Sequence, residues 1–556
     1  MYNLLIGGAA GQGIDTTAAM MEKLLKQAGY HVFTTRDFMS RIRGGHNFSQ
    51  IRFGTEISMS HSNHLDCIIA LNEETIELHR DKLKPHGFIL CDSSITTDDP
   101  RVLQIDMNAI ASSIGNKNAS GSVAIGAVLK LFGEKLTSVR DVIKAFVKEQ
   151  YLEVNLKAVT AGYSAVEKRF PHLDGGFGDW MIISGSRALA LGAIAAGLRF
   201  YSAYPMSPST TVMEYLASKS GEAGIVVEQA EDEIAAINMA IGASFAGARA
   251  MTGTSGGGFS LMVEALGLSG MAEIPLVVVN AQRPGPVTGF PTRTEQSDLK
   301  FVISASQGEF PRMVIAPRHQ ADAFYQTIRA FNIAEKYQMP VILLCDQYLF
   351  DATATVQPFD ISDLKMVLPA AVNETGEEYP RYKLTEDGIS PRLLPGKSRN
   401  LVTADSDEHD ERGRITESAQ MRTLMMDKRM KKLEKLQEEL QEPEFIGPQV
   451  FEKLLVGWGS LYGPIAEAVD ILNKRQGASY AALVFGDIYP LPTRLLSEKV
   501  LQAHAVINIE QNATGQLAGL IREQTGILCN DSILRYDGRQ ISGEEIAEIL
   551  IGREQK

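Results

Sequence analysis

Short apolar runs alternate along this chain with longer stretches whose apolar positions recur at helical spacing. The runs predict buried strands and the longer stretches predict helices packed on them. Their alternation predicts an α/β fold of several doubly wound domains, with largely parallel sheets covered on both faces. Strands are expected at Asn3–Ile6, His31–Thr34, Cys67–Leu71 and Phe88–Cys91 in a first domain, residues 1–178. Gly175-Gly176-Phe177-Gly178 reads as its closing linker. A second domain, 179–365, has expected strands at Ile225–Glu228, Ala250–Thr254, Leu276–Asn280 and Val341–Cys345. Residues 366–444 break the pattern. They are polar, with Pro380, Pro391, Pro395 and a charged run from Asp405 to Arg412, before a Lys/Glu/Met/Leu-rich helix from about Glu417 to Leu440, expected to be a packed connector. Residues 445–556 resume the alternation, with strands at Lys453–Gly457, Tyr480–Val484 and Ala505–Glu510.

Composition narrows the function classes. A net charge of −13 argues against a general nucleic-acid role. Cys67, Cys91, Cys345 and Cys529 stand apart with no Cys-x-x-Cys pair, so a cluster held by this chain is not expected, and sparse cysteine fits a reducing cytoplasm. No signal peptide and no apolar run of membrane-spanning length is visible.

The segment Tyr201-Ser-Ala-Tyr-Pro-Met-Ser-Pro-Ser-Thr210 carries the most chemistry. Pro205 and Pro208 bar regular helix and push Tyr204 and Ser207 towards extended geometry, so a stiff turn presents the hydroxyls of Ser207, Ser209 and Thr210 at a helix start. Such a start suits a carboxylate; the plainer reading is an N-cap after a proline turn. Val226 to Glu233 is a strand end followed by a carboxylate-rich helix start. Because the adjoining residues Ala235–Ala246 are small and apolar, that helix is expected to be buried and Glu231 to be desolvated. Thr252-Gly-Thr254-Ser255-Gly256-Gly257-Gly258 is a turn whose glycines permit close approach. Arg283 and Arg293 sit in a proline/glycine loop, where a guanidinium can grip a carboxylate in bidentate fashion or serve as a surface charge. At the N-terminus, Gly7-Gly8-Ala9-Ala10-Gly11-Gln12-Gly13 lies between a strand and a helix, with Arg41 and Arg43 in a second glycine-containing stretch. A phosphate loop (Gly8, Gly11, Gln12, Gly13, Arg43) and a tight structural turn both fit. The spacing is neither that of a dinucleotide loop nor that of a P-loop.

Taken together, Tyr204-Pro205-Met206-Ser207-Pro208-Ser209-Thr210, the Glu231 segment, the Thr254-Ser255-Gly256-Gly257 turn and Pro291-Thr292-Arg293-Thr294 resemble the alpha subunit of 2-oxoacid:ferredoxin oxidoreductases. Residues 1–178 resemble that family's gamma domain and 445–556 its transketolase-C-like domain. The resemblance implies coenzyme A-acylating oxidative decarboxylation of a 2-oxoacid, with thiamine diphosphate as cofactor and electrons passed to ferredoxin. It implies that Glu231 protonates the aminopyrimidine ring, that Ser207 (where the family usually has Thr) meets the substrate, and that Arg283 and Arg293 clamp its carboxylate. Glu408–Glu411 also recurs in the family and is expected near the active-site mouth. The family's Gly-Asp-Gly run is missing; Phe485-Gly486-Asp487 is the nearest. A beta subunit is therefore expected to supply the diphosphate and Mg²⁺ pocket and a [4Fe-4S] cluster, in an alpha–beta heterodimer or a dimer of heterodimers. 2-Oxoglutarate is the first choice of substrate, with pyruvate or a broad range next. Two other readings stay open: a non-catalytic or nucleotide-binding protein on the same scaffold, and a dinucleotide-dependent dehydrogenase.

Overall fold

The computed structural model describes residues 1–39, 45–368, 379–475 and 479–555. Two compact units emerge. The first comprises Met1–Ser184, Asp351–Pro358 and Ser542–Glu548; the second comprises Gly185–Phe350, Phe359–Ile541 and Ile549–Lys556.

The first unit is built on an eight-stranded sheet. Tyr2–Ala9, Leu65–Ala70, Leu83–Asp92 and Val102–Ile105 pair in parallel. The other half is antiparallel, against the expected largely parallel sheet. His46–Gly54 pairs antiparallel with both Tyr2–Ala9 and His31–Asp37, and Thr353–Val356 with both His31–Asp37 and Met181–Ser184. Two strands of this sheet thus lie beyond Gly178, where the sequence reading ended the first domain. The alternation shows which residues form strands; only long-range pairing shows which sheet receives them.

The second unit holds two sheets. A seven-stranded sheet runs in the order Asp487–Tyr489, Met313–Ile315, Pro340–Asp346, Leu276–Gln282, Ala250–Thr254, Phe200–Ala203, Val226–Gln229. Its pairings are parallel except at the Asp487–Tyr489 edge. Its central strands are apolar on both faces, as parallel strands covered by helices must be; Leu276, Val278, Ile342 and Leu344 join one core. The five-stranded sheet runs Glu444–Ile446, Tyr480–Phe485, Lys453–Trp458, Ala505–Glu510, Asp531–Leu534.

The polar stretch does not behave as a plain linker. Its helix, Ala419–Gln437, buries Met425, Lys428, Arg429, Lys432 and Leu436, so its inward stripe is largely cationic. Glu273 meets two of those cations, Lys428 Nζ at 2.5 Å and Lys432 Nζ at 2.6 Å, and Arg429 bonds Glu408 at 2.8 Å. Burial alone would raise the Glu273 carboxyl, but Lys432, Lys428 and Arg381 outweigh it and hold it well below the usual carboxylate range. Glu408–Glu411, expected at an active-site mouth, is part of this framework. His409 packs on Tyr382 with ring centroids 4.0 Å apart, and Glu411 accepts the Leu384 N–H at 2.8 Å. No helix among the described residues is long and apolar enough to cross a membrane.

Candidate active site

The parallel strands of the seven-stranded sheet deliver the sequence-selected motifs to one edge. Ala203, Gln229, Thr254 and Gln282 end their strands, and the turns that follow carry Tyr204–Thr210, Glu231–Glu233, Ser255–Gly257 and Arg283. The carboxyl ends of parallel strands are where open α/β sheets bind ligands.

Of the carboxylates at the Glu231–Glu233 helix start, the buried one is Glu233, not Glu231. Asp232 is the N-cap; its extended backbone starts the helix Glu233–Phe245 and its side chain accepts the Ala235 N–H at 2.7 Å. That phase points Glu233 inward with Ala236, Ile237, Ala240 and Ile241, spaced along one face, while Glu231 lies before the cap and is exposed. Glu233 is 4% exposed, and its Oε1 is buried without a hydrogen-bond partner. Counting the apolar stripe back by three and four residues lands on Glu233, so the signal was present in the sequence. The helix is not buried all round, either. Ile234 is 51% exposed, and Asn238, Met239 and Gly242 are also exposed.

Close packing explains the glycine turn. Ser255 precedes the helix Gly256–Met271 with no side-chain cap, and its Oγ is buried without a partner. A methyl group on Gly258 would fall 2.1 Å from Thr254 Oγ1 and 2.4 Å from Glu233 Oε1. One on Gly256 would fall 2.4 Å from Asp298 Oδ2. Gly257 is roomier, with Val287 O nearest at 3.4 Å.

Asp298 and its partners escaped the sequence reading. Burial raises the Asp298 carboxyl to about 6. Asn280 Nδ2 donates to Asp298 Oδ2 at 3.1 Å, and the Asp298 N–H donates to Gln282 Oε1 at 2.9 Å. Asn280 Oδ1 and Thr252 Oγ1 join Glu233 and Ser255 as buried polar atoms without partners. Buried polar groups are normally paired, so Glu233 Oε1 and Ser255 Oγ, unpartnered where two helices start, mark a place suited to a polar ligand.

The proline turn commits one of the three hydroxyls expected to face outward. Ser207 is exposed. Ser209 is buried and donates to the Met206 carbonyl at 2.8 Å, so its hydroxyl hydrogen is already committed. Thr210 is half-buried, and its N–H reaches Met206 O at 3.2 Å. Tyr204 is exposed and Pro205 half-buried beside it. Arg283 Nη1 donates to the Ser207 carbonyl at 2.9 Å, which brings two selected residues together; burial lowers the pKa of its guanidinium. Arg293 is elsewhere on its loop. Its Nη1 donates to Thr292 O at 3.1 Å, and a Cβ on Gly538 would lie 3.1 Å from Arg293 Cβ.

In the first unit, Gly13 caps the helix Ile14–Gln27 in the left-handed region, φ 79°. Gln12 Oε1 accepts the Ala9 N–H at 2.6 Å and its Nε2 donates to Leu71 O at 3.2 Å, so this side chain braces its own loop. A Cβ on Gly8 would sit 2.5 Å from Gln12 Oε1, whereas Gly11 has open space around it. Arg43 lies outside the described residues.

Comparison with known proteins identifies the family. A family model described as pyruvate flavodoxin/ferredoxin oxidoreductase, thiamine diP-bdg, matches residues 191–428, and one described as pyruvate ferredoxin/flavodoxin oxidoreductase matches residues 3–165. Fold and site therefore define a thiamine diphosphate-binding oxidoreductase domain carried with a second α/β unit. The 2-oxoacid:ferredoxin oxidoreductase subunit alpha of a Sulfolobus species is 33% identical, over 98% of this chain and 96% of that protein. The 2-oxoglutarate oxidoreductase subunit KorA of Mycobacterium tuberculosis is 31% identical, over 79% of this chain and 69% of its own. A structure of 2-oxoglutarate:ferredoxin oxidoreductase from Magnetococcus marinus, with 2-oxoglutarate, coenzyme A and succinyl-CoA bound, superposes with a TM-score of 0.93 at 31% identity over 99% of both chains. The chain belongs to the 2-oxoacid:ferredoxin oxidoreductase family, as an alpha subunit.

Proposed function

We propose that this chain supplies the pyrimidine-binding half of a thiamine diphosphate site and that Glu233 is its proton-relay carboxylate, in place of Glu231. The observation that carries this reading is the buried, unpartnered Glu233 Oε1, 2.4 Å from where a Cβ on Gly258 would fall. A carboxyl held dry with one oxygen free fits a ring nitrogen that exchanges a proton. When bound, the cofactor supplies the carbanion-stabilising chemistry of 2-oxoacid decarboxylation. The chain's own residues bind and orient. Ser207 offers an outward hydroxyl, Arg283 braces the Ser207 turn, and Arg293 is the candidate grip on the substrate carboxylate, with Tyr204, Pro205, Thr210, Thr254 and Gly257 lining the approach.

The acid is 2-oxoglutarate, oxidised with coenzyme A as acyl acceptor and ferredoxin as electron acceptor. The open Gly11–Gly13 loop is the candidate phosphate contact for coenzyme A. A beta subunit brings the diphosphate and Mg²⁺ pocket and a [4Fe-4S] cluster. Its docking face includes the exposed apolar residues Tyr204, Val226, Ile234, Met239 and Leu261. The setting is cytoplasmic. The test uses the complex co-purified with its partner, assayed by coenzyme A-dependent viologen reduction over a panel of 2-oxoacids. Glu233→Gln is expected to lower turnover by about 10²–10⁴-fold, the worth of a positioned acid–base group, while the complex still assembles. Glu231→Gln is expected to stay near wild type. The reverse ranking would return the role to Glu231.

A further inference from the structure

The loop bearing Arg283 and Arg293 has little hydrogen bonding of its own. Pro284, Pro286 and Pro291 carry no N–H, and the loop's internal backbone bonds include Phe290 N to Pro284 O at 3.0 Å and Arg293 N to Phe290 O at 3.1 Å. Val287, near its tip, is 85% exposed. What holds the loop lies directly after Arg293.

Gln296 is fully buried and is seized by the five-stranded sheet. Its N–H donates to Gln511 O at 2.7 Å, and its Oε1 accepts the Gln511 N–H at 3.3 Å. Its Nε2 donates to Trp458 O at 2.9 Å, and its carbonyl accepts from Asn512 Nδ2 at 3.1 Å. Both its backbone polar groups and both ends of its side chain are used. Gln516 makes a second grip: Nε2 donates to Ser297 O at 2.7 Å, and Oε1 accepts the Lys300 N–H at 2.9 Å. Behind them Glu510, fully buried, holds Asn512 Nδ2 at 2.7 Å, Trp458 Nε1 at 3.2 Å and the Leu517 N–H at 2.9 Å. The Thr294 N–H reaches Gly538 O at 3.3 Å on the same side.

We infer that Gln296, gripped by Gln511, Asn512 and Trp458, is a positioning residue through which the five-stranded sheet fixes the Arg293 loop for carboxylate recognition. This rests on the reading of Arg293 as the substrate grip, and gives the C-terminal sheet a task in the reaction. A bidentate grip tolerates little misplacement, because an error near 1 Å costs up to about 10²-fold. Loosening the anchor three residues away acts on binding through Arg293, so it raises KM for the 2-oxoacid rather than lowering kcat.

The experiment is a double-mutant cycle in the co-purified complex, reading viologen reduction. Gln296→Leu is expected to raise KM for the 2-oxoacid about tenfold or more, with KM for coenzyme A and kcat little changed. Gln296→Glu, which sets a carboxylate oxygen against the Trp458 carbonyl and buries a charge, is expected to do no better. In an Arg293→Ala background Gln296→Leu is expected to add nothing further, a non-additivity that a general packing defect would not produce. If Gln296→Leu fails to fold, Gln516→Ala releases Ser297 and Lys300 alone and carries the same expectation. An Arg293→Ala enzyme with unchanged KM sinks the reading of Arg293 itself. A full Arg293 effect, with Gln296 and Gln516 variants at wild-type KM or additive with Arg293→Ala, overturns the inference alone.

Discussion

Consider Gly258→Ala. The added Cβ would meet Thr254 Oγ1 at 2.1 Å and Glu233 Oε1 at 2.4 Å, where ordinary contact begins at 3.4 Å. Thr254 is fully buried on a central strand and yields only by turning its hydroxyl away about χ1. The Glu233 carboxyl, with one oxygen unbonded, is the softer neighbour, and it must give by about 1 Å to restore van der Waals contact. Overpacking costs about 1–3 kcal/mol, and Ala regains roughly 1 kcal/mol of helix propensity over Gly, so stability falls by no more than about 2 kcal/mol. The catalytic cost is larger, because a 1 Å displacement of a reacting group lowers rate about 10²-fold. The expected phenotype is therefore a folded, assembled enzyme with a modestly lowered melting temperature and roughly a hundredth of wild-type turnover. Melting by circular dichroism and viologen reduction by the complex, on the same preparation, check both halves. Wild-type turnover would refute the placement of the Glu233 carboxyl at the reacting edge, whatever the melting temperature did.

Other outcomes follow from the same packing. Lys432→Met removes one of two ammonium groups from buried Glu273 and is expected to cost about 3–5 kcal/mol in urea unfolding; a loss below 1 kcal/mol would show that the cluster is not buried as described. Because Glu273 is held well below its ordinary range, its contribution is present above about pH 4.5 and is lost as pH falls, so Glu273→Gln should flatten the acid limb of the stability profile. Asp298 has the opposite sign: its folded carboxyl is raised from 3.8 to about 6, so it keeps a proton the unfolded chain has released, and the penalty grows from pH 3.8 to about 6. Asp298→Asn is expected to be more stable than wild type at pH 7, with the difference shrinking towards pH 4; a pH-independent difference would contradict that.

Much of this protein was legible in one dimension. Short runs rich in apolar and small residues located the strands Ala250–Thr254 and Ala505–Glu510 to the residue, both of them buried almost throughout. The proline turn, the glycine turn and the two arginines were identifiable because backbone chemistry of that kind is local. Tertiary structure decided what depends on phase and distance. Glu233 is a mixed case: the apolar stripe counts back to it, and the Asp232 N-cap sets it inside the helix with Glu231 outside. That Ser209 bonds Met206, that three cations of a polar helix point into the protein, and that Thr353–Val356 completes a sheet begun at Tyr2 rest on neighbours far away in sequence. Gln296 is the clearest case. Nothing in Thr294-Glu-Gln-Ser-Asp298 marks it, and its four partners lie on Trp458, Gln511 and Asn512, brought to it only when two sheets of one unit close edge to edge.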